Sequence, residues 1–115
     1  THIELKTVDA TANPYLAMAA TIAAGLDGIR CNLSLGEPVD RDPGDFTEVE
    51  RQERQIDRLP ANLGEAIAQL AQNSVLLDAL GSDLAKAFLA VRTAEWGAMR
   101  NWSIEEEAKL LLERY

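Results

Sequence analysis

The chain has 115 residues, 47% of them hydrophobic and 26% charged, which is ordinary for one folded domain with a modest core. Its formal net charge of −8 at pH 7 disfavours nucleic acid and anionic membranes as partners, because an acidic surface repels phosphate groups. The single cysteine, Cys31, excludes an internal disulfide and favours a reducing compartment, so we expect a cytoplasmic protein.

Residues 1–8 alternate between apolar and polar side chains, and this period of two predicts a β-strand. Ile3 and Leu5 fall on one side of the strand. The other side carries His2, Glu4, Lys6 and Val8. A single strand has no ladder partner and is not stable alone, so we expect it to pair with protein outside the chain. The chain also begins without an initiator methionine, which indicates that it starts inside a longer protein.

A buried helix is predicted over residues 13–27. Asn13 suits the N-cap and Pro14 the first helical position, while Gly28 is expected to stop the helix. The helix has almost no polar face, and a helix that is apolar all round is buried on all sides. Its apolar stretch, residues 15–26, is shorter than the roughly 18 residues that a membrane span needs. We therefore expect no membrane partner.

Residues 32–60 are predicted to form a loop and a short helix. Gly36, Pro38 and the run from Asp42 to Asp45 are turn signals. The charged stretch after Phe46 suits a short exposed helix that Pro60 would stop. Its charges are expected to form a solvated face.

Residues 62–115 are predicted to form a helical tail. Asn62 is expected to cap its first helix, with Glu65 as the capping-box partner. A shorter helix follows and stops at Gly81.

Two further helices complete this tail. Ser82 is expected to cap a long helix that ends near Arg100, and Ser103 opens the last helix with Glu106 as its capping-box partner. An amphipathic stripe on the last helix consists of Ile104, Ala108, Leu111, Leu112 and Tyr115. The predicted fold is therefore mostly α, with a short N-terminal strand followed by a small helical array.

One cluster has the residue types for chemistry. On the predicted strand, Glu4 is flanked by His2 and Lys6, and a carboxylate between two basic groups suits a divalent cation with phosphates beside it. On the pattern alone, we favour the interpretation that these residues form the solvent-exposed face of a strand. The chain has no glycine-rich phosphate loop, and with one histidine it has no Ser-His-Asp set.

The run IELKTVDATANPYLAMAATIAAGLDGI, from Ile3 to Ile29, changes this balance. It closely resembles the final part of the catalytic domain of the glutamine synthetase superfamily, in which a strand with I-E-x-R/K precedes D-x-x-A-N-P-Y-L and an alanine-rich helix. The stretches from Arg58 to Ile67 and from Ala90 to Trp96, with the Leu-Gly turn at Gly81, are similar to the glutamine-synthetase-like branch, which includes glutamylpolyamine synthetases. The resemblance implies a fragment of an α+β catalytic domain, with residues 1–115 as its C-terminal segment.

The resemblance also implies roles for individual residues. Glu4 matches the family's metal-binding glutamate. Lys6 stands where many members have an arginine that contacts phosphate or the substrate carboxylate, and it is the candidate catalytic residue. Lysine keeps the charge but lacks the bidentate fork of arginine. His2 stands where many members have an arginine near the nucleotide, which makes it the candidate cofactor-binding residue.

The activity implied by the resemblance is ATP-dependent amide formation through an acyl phosphate, with Mg²⁺ or Mn²⁺ as the cofactor and ATP as the co-substrate. The implied partners are the rest of the parent catalytic domain and further copies in a homo-oligomer. The fragment alone is expected to be inactive, because one carboxylate cannot hold a catalytic ion.

Two alternatives stay open. The chain could be a noncatalytic helical interaction or oligomerisation module that docks through the helix at 13–27. The departures at His2 and Lys6 are also compatible with a degenerate, noncatalytic relative.

Overall fold

The computed structural model describes residues 2–9 and 11–113, and their regular structure is helical. Six α-helices follow one another along the chain, and a single 3-10 turn, Pro43–Asp45, lies between the first two. The helices are α1 (Pro14–Arg30), α2 (Glu48–Glu53), α3 (Leu63–Gln72), α4 (Ser74–Leu80), α5 (Ser82–Met99) and α6 (Ile104–Leu112). The prediction of a mostly α chain is confirmed. None of these helices is both long and apolar enough to cross a membrane.

The strand predicted over residues 1–8 is not formed. Residues 2–5 have no regular structure, and a turn occupies Lys6 and Thr7. The physical reason is the absence of a second strand within residues 2–9 and 11–113, since a strand needs a ladder partner for its backbone groups. Thr1, where the predicted strand begins, lies outside the described residues.

Helix α1 begins as the sequence predicts and ends later. The side chain of Asn13 accepts hydrogen bonds from the N–H groups of Tyr15 and Leu16, which caps the helix. Gly28, predicted as the stop, lies inside the helix. The terminating residue is Asn32, whose φ of 50° is left-handed, and the Leu33 N–H donates to the Gly28 carbonyl at 2.9 Å. Asparagine thus fills the position that glycine usually takes in this C-terminal motif.

The later helices also carry side-chain caps, with two differences from prediction. Ser103 and Glu106 form the expected capping box at α6, and Asn62 caps α3. The carboxylate of Glu65, however, accepts from the Ala61 N–H at 2.9 Å. Ser82 is the first residue of α5 and makes no cap hydrogen bond, because Gly81 at φ 76° occupies the N-cap. Tyr115, predicted on the stripe of α6, lies outside the described residues.

The main helix contacts join α1 to α4, α3 to α5, and α4 to both α3 and α5. A close approach occurs between Gly64 on α3 and Trp96 on α5, where a Cβ added to the glycine would lie 2.6 Å from the indole ring. Glycine is therefore required for this packing, and Trp96 is a helix-packing residue. Only Phe46 and Ala85 are buried apolar residues in the described part of the chain.

The chain leaves far more surface in water than a complete domain does. Its accessible surface is 9911 Å², whereas a folded monomer of this mass exposes about 6,200 Å². Its radius of gyration is 16.6 Å, against about 13 Å for a compact domain of this length. The described helices therefore cover only part of one another, and α1 in particular has no buried residue. Full burial of α1 stays a prediction for a larger assembly.

Replacement of Gly64 with alanine tests the contact between α3 and α5. We expect Gly64→Ala to lower the free energy of unfolding by about 1–3 kcal/mol, because the methyl group overlaps the indole of Trp96. The matched control is Gly97→Ala, since Gly97 also lies in a helix but has no atom within 4 Å of its added Cβ. The free energy of unfolding of this control should rise by about 0.5–1 kcal/mol. Urea unfolding followed by circular dichroism measures both, and equal effects would contradict the proposed packing.

Candidate functional site

The three residues predicted to form a site lie together in an open segment. His2, Glu4 and Lys6 are all exposed and belong to the N-terminal stretch without regular structure. The Lys6 ammonium lies 3.7 Å from Glu4 Oε1, and their side chains are 79% and 63% exposed. Such an exposed pair contributes little to stability. The structure therefore brings Glu4 and Lys6 together, while His2 has no ion pair to a described residue.

A carboxylate oxygen is a ligand that Mg²⁺ and Mn²⁺ prefer, so the donor type of Glu4 fits such an ion. One carboxylate does not make a site. Within residues 2–9 and 11–113, no group of three or more His, Cys, Asp or Glu side chains is arranged to hold a metal. A metal bound by Glu4 would therefore need ligands beyond those that the described residues bring together.

Hydrogen bonds join Asp9 to Thr11 and Ala12 between this segment and α1. The backbone N–H and the hydroxyl of Thr11 both donate to Asp9 Oδ1 at 2.7 Å, and the Ala12 N–H donates to the Asp9 carbonyl at 3.0 Å. Two hydrogen bonds from Thr11 lower the pKa of Asp9 below its ordinary value, and the bond from the backbone N–H has the larger effect. Because Asn13 then caps α1 directly, the direction in which the segment leaves the helix is locally determined.

An apolar groove of about 570 Å³ lies beside this turn, where the start of α1 meets α3, α4 and α5. Its polar members include Asp9, Asn13 and Arg92. Arg92 pairs with Glu95 at 2.7 Å, and its Nε is buried without a partner among the described residues. The groove's large apolar lining residues are Leu16, Leu70, Leu76, Leu80 and Phe88. Among the described lining residues there is no carboxylate pair, and the hydroxyl of Thr11 already donates to Asp9. The groove therefore suits packing better than catalysis.

A second polar cluster surrounds Phe46, which is 4% exposed. The guanidinium carbons of Arg41 and Arg54 lie 4.0 and 5.1 Å from the centre of its ring. Arg41 also pairs with Glu50. These contacts combine cation–π attraction with an ion pair around one aromatic ring. The cluster stabilises the loop around α2, with Arg41 paired to Glu50 and Arg54 in contact with the ring of Phe46.

Arg51 corrects the expectation that the charges after Phe46 form a solvated face. Its side chain is only 10% exposed and donates to the Phe46 carbonyl and to Glu48 Oε2, each at 2.7 Å. Its burial follows from packing against Phe46, which a charge pattern does not report. The capping-box spacing between Thr47 and Glu50 was the signal from which this ordered turn could have been found.

Hydrogen bonds at this cluster control the ionisation of Glu50. The backbone N–H of Thr47 donates to Glu50 Oε2 at 2.7 Å, and the Thr47 hydroxyl lies 2.9 Å from the same atom. These bonds, followed by the contact with Arg41, lower the pKa of Glu50 to about 2. The carboxylate therefore stays ionised over most of the acid range.

Comparison with known proteins assigns the chain to a family. Residues 1–110 match the model of the glutamine synthetase catalytic domain. The chain belongs to the glutamine synthetase catalytic-domain family. This match confirms the resemblance seen in the run from Ile3 to Ile29, and it covers the segment with Glu4, helices α1 to α5 and most of α6.

The relatives of this chain within the glutamine synthetase family have names that indicate different reactions. The chain is 39% identical to the glutamine synthetase of Methanococcus maripaludis, covering 97% of this chain and 25% of that protein. It is 43% identical to the γ-glutamylpolyamine synthetase of Streptomyces coelicolor, covering 85% and 21%. The Staphylococcus aureus glutamine synthetase is 36% identical over the whole chain. The chain thus spans about a quarter of the length of these relatives.

The capping box at α2 can be tested by titration. The pKa of Glu50 lies below its ordinary value of 4.5, so its hydrogen bonds stabilise the folded chain above that pH, and the stabilisation is lost as the pH falls toward 2. We expect Thr47→Ala to raise the pKa of Glu50, because the hydroxyl bond is lost. Carboxyl ¹³C NMR measures this change.

The matched control is Ser103→Ala, which removes the equivalent hydroxyl at α6. The pKa of Glu106 is lowered by hydrogen bonds from the backbone and hydroxyl of Ser103. This variant should therefore raise the pKa of Glu106 and leave that of Glu50 at about 2. A Glu50 titration that is unchanged in Thr47→Ala would show that the box does not form.

Proposed function

We propose that the chain is the C-terminal portion of an ATP-dependent carboxylate–amine ligase of glutamine synthetase type. The observation that carries this proposal is the family match over residues 1–110, a range that includes Glu4, the proposed metal ligand. The chain aligns with about a quarter of the length of each relative, which supports a larger parent protein. The fragment by itself is inactive under this proposal, because its own carboxylate supplies one ligand.

Three side chains of this segment have roles in the proposal. Glu4 gives one carboxylate oxygen to Mg²⁺ or Mn²⁺, which neutralises charge on the phosphates of ATP when bound. Lys6 contacts the transferred phosphate or the substrate carboxylate as a point charge. The distance of 3.7 Å between Lys6 Nζ and Glu4 Oε1 supports the assignment of both side chains to one site. His2 contacts the nucleotide.

The reaction divides amide formation into two steps. A carboxylate oxygen of glutamate attacks the terminal phosphorus of ATP, and ADP leaves with the electrons of the broken P–O bond. The resulting acyl phosphate has a good leaving group. Ammonia or an amine then attacks the carbonyl carbon, loses a proton and releases inorganic phosphate. Lys6 would stabilise negative charge on the transferred phosphoryl group in both steps.

The acceptor and the assembly are part of the same proposal. The names of the Methanococcus and Streptomyces relatives support ammonia and a polyamine, respectively, as the candidate acceptors. The parent is proposed to be a cytoplasmic homo-oligomer, and the partner of this chain is the rest of its catalytic domain. The excess of exposed surface supports an extensive partner of this kind.

The second candidate function is a helical interaction module without catalysis. The exposed apolar side chains on α1, such as Tyr15 at 83% and Ile29 at 77%, favour an interaction surface. A degenerate ligase is the third candidate, suggested by lysine and histidine at positions 6 and 2, where many family members have arginine. Both alternatives expect no ligase turnover from the full-length protein.

Substitution of Glu4 tests the ligase. We expect Glu4→Ala in the full-length protein to weaken Mn²⁺ binding and to reduce ligase activity by at least about 10–100-fold, since a lost metal ligand costs no less than a lost outer-shell partner. Isothermal titration with Mn²⁺ and phosphate release with glutamate, ATP and a panel of amines measure both effects. Glu37→Ala, in the exposed loop, is the matched control and should change neither.

The outcomes separate the three candidates. Unchanged Mn²⁺ affinity and turnover in Glu4→Ala would remove Glu4 from the metal site. Mn²⁺ binding without turnover for any amine would favour the degenerate relative. A full-length protein that neither binds Mn²⁺ nor hydrolyses ATP would favour the interaction module.

A further inference from the structure

Residues 2–8 are attached to the helices of this chain through the backbone that leads into α1. Within the described part of the chain, the only polar contact of their side chains is the ion pair between Glu4 and Lys6, which lies inside the segment itself. This pair is exposed and contributes little to stability. Within this chain, the place of the Glu4 carboxylate relative to the helices is therefore set by the backbone between residue 8 and α1.

Hydrogen bonds to Asp9 hold that backbone. Its carboxylate oxygen Oδ1 accepts both the backbone N–H and the hydroxyl of Thr11 at 2.7 Å, and its carbonyl accepts the Ala12 N–H at 3.0 Å. Bonds to an ionised acceptor are about twice as strong as neutral ones. The lowered pKa of Asp9 agrees with this arrangement, because the bonds from Thr11 favour the ionised form. Asp9 is also exposed, so its side chain can be replaced without leaving a cavity.

The same series of hydrogen bonds continues into the helices. The side chain of Asn13 accepts from the N–H groups of Tyr15 and Leu16 at 3.0 and 3.2 Å, which begins α1. Helix α1 in turn contacts α4. The turn at Asp9 therefore relates the direction of residues 2–8 to the helical frame.

The distance from Asp9 to Glu4 makes this direction important. Five residues separate the two, which is a reach of at most about 17 Å. A rotation of about 10° at Asp9 moves the end of such a reach by as much as about 3 Å. A metal ligand has to be held to within about 0.5 Å of its productive position. A small change at the turn would thus be enough to misplace the Glu4 carboxylate.

We propose that Asp9 is a positioning residue for the metal site. Its bonds to Thr11 set the direction in which residues 2–8 leave α1, and thereby the place of the Glu4 carboxylate. Asp9 touches neither metal nor substrate and acts through Glu4. The inference rests on the proposed function, because it requires Glu4 to bind a metal.

A second turn in the chain provides a matched control. The Gly44 N–H donates to Asp42 Oδ1 at 2.8 Å, and the Asp45 N–H donates to the Asp42 carbonyl at 3.0 Å. These two bonds have the same spacing as those that the backbone of Thr11 and Ala12 makes to Asp9. The turn at Asp42 leads toward α2 and not toward Glu4. Asp42→Ala therefore removes an equivalent bond without changing the direction of residues 2–8.

Isothermal titration of the full-length protein with Mn²⁺ tests the proposal. We expect Asp9→Ala to weaken Mn²⁺ binding by about 10–100-fold, the loss typical of a residue that orients a metal ligand. Asp9→Asn should restore binding, because its amide oxygen can accept both bonds from Thr11. Asp42→Ala should bind Mn²⁺ as the unmodified protein does. Equal losses in Asp9→Ala and Asp42→Ala, or no loss in Asp9→Ala, would overturn the proposal.

A variant of Thr11 keeps the test open if Asp9→Ala does not yield folded protein. Thr11→Val loses the hydroxyl bond to Asp9 and keeps the backbone bond. Its Mn²⁺ affinity should lie between those of Asp9→Asn and Asp9→Ala. An affinity equal to that of the unmodified protein would then count against the positioning role.

The double variant separates positioning from a general loss of structure. If Asp9 acts through Glu4, Asp9→Ala has nothing left to disturb in a Glu4→Ala background, so the double variant should bind Mn²⁺ as weakly as Glu4→Ala alone. The full loss repeated in that background would show that Asp9 acts elsewhere.

Glu4→Ala in the same titration distinguishes this proposal from the proposed function. Unchanged Mn²⁺ affinity in Glu4→Ala would overturn both, since Asp9 would have no ligand to position. A loss in Glu4→Ala without a loss in Asp9→Ala would overturn the positioning role alone. Because the readout is affinity, a full-length protein that shows the expected losses but no turnover would refute the ligase function and keep the role of Asp9.

Discussion

A helix without a polar face must be covered on all sides, and α1 is covered on one. It contacts α4, while its large apolar side chains Tyr15, Met18, Ile22, Leu26 and Ile29, here called the α1 stripe, remain exposed. Each large apolar side chain left in water forfeits about 1.5–3 kcal/mol of burial, so the five stripe residues represent a substantial unrealised stabilisation. This constraint explains the large accessible surface and the small core of the described chain.

The order within the chain comes mainly from local hydrogen bonds. Side-chain caps begin α1, α2, α3, α4 and α6, and left-handed residues end α1 and α2. These contacts need only neighbours in sequence, so they persist where tertiary contacts are few. The same principle applies to the candidate site, in which Glu4 and Lys6 meet locally while the remaining ligands of a metal must come from elsewhere.

The sequence predicted the helix caps better than it predicted the end of α1 or the burial of Arg51. The caps at Asn13, Asn62 and Ser103 were predictable because each depends on a residue type at a known spacing. The end of α1 was missed because Asn32 took the left-handed position and Gly28 continued the helix. The buried Arg51 was missed because its partner is the Phe46 carbonyl, and charge patterns do not report backbone acceptors.

The sequence by itself determined the helical class, most helix starts, the family and the alternation that sets Glu4 and Lys6 apart from Ile3 and Leu5, because caps, periodicity and motifs are local properties of a chain. Only the tertiary structure decided that Trp96 closes on Gly64, that Arg51 is enclosed beside Phe46, and that the strand does not form without a partner. Burial and strand pairing depend on which distant surfaces meet, and no short stretch of sequence contains both surfaces.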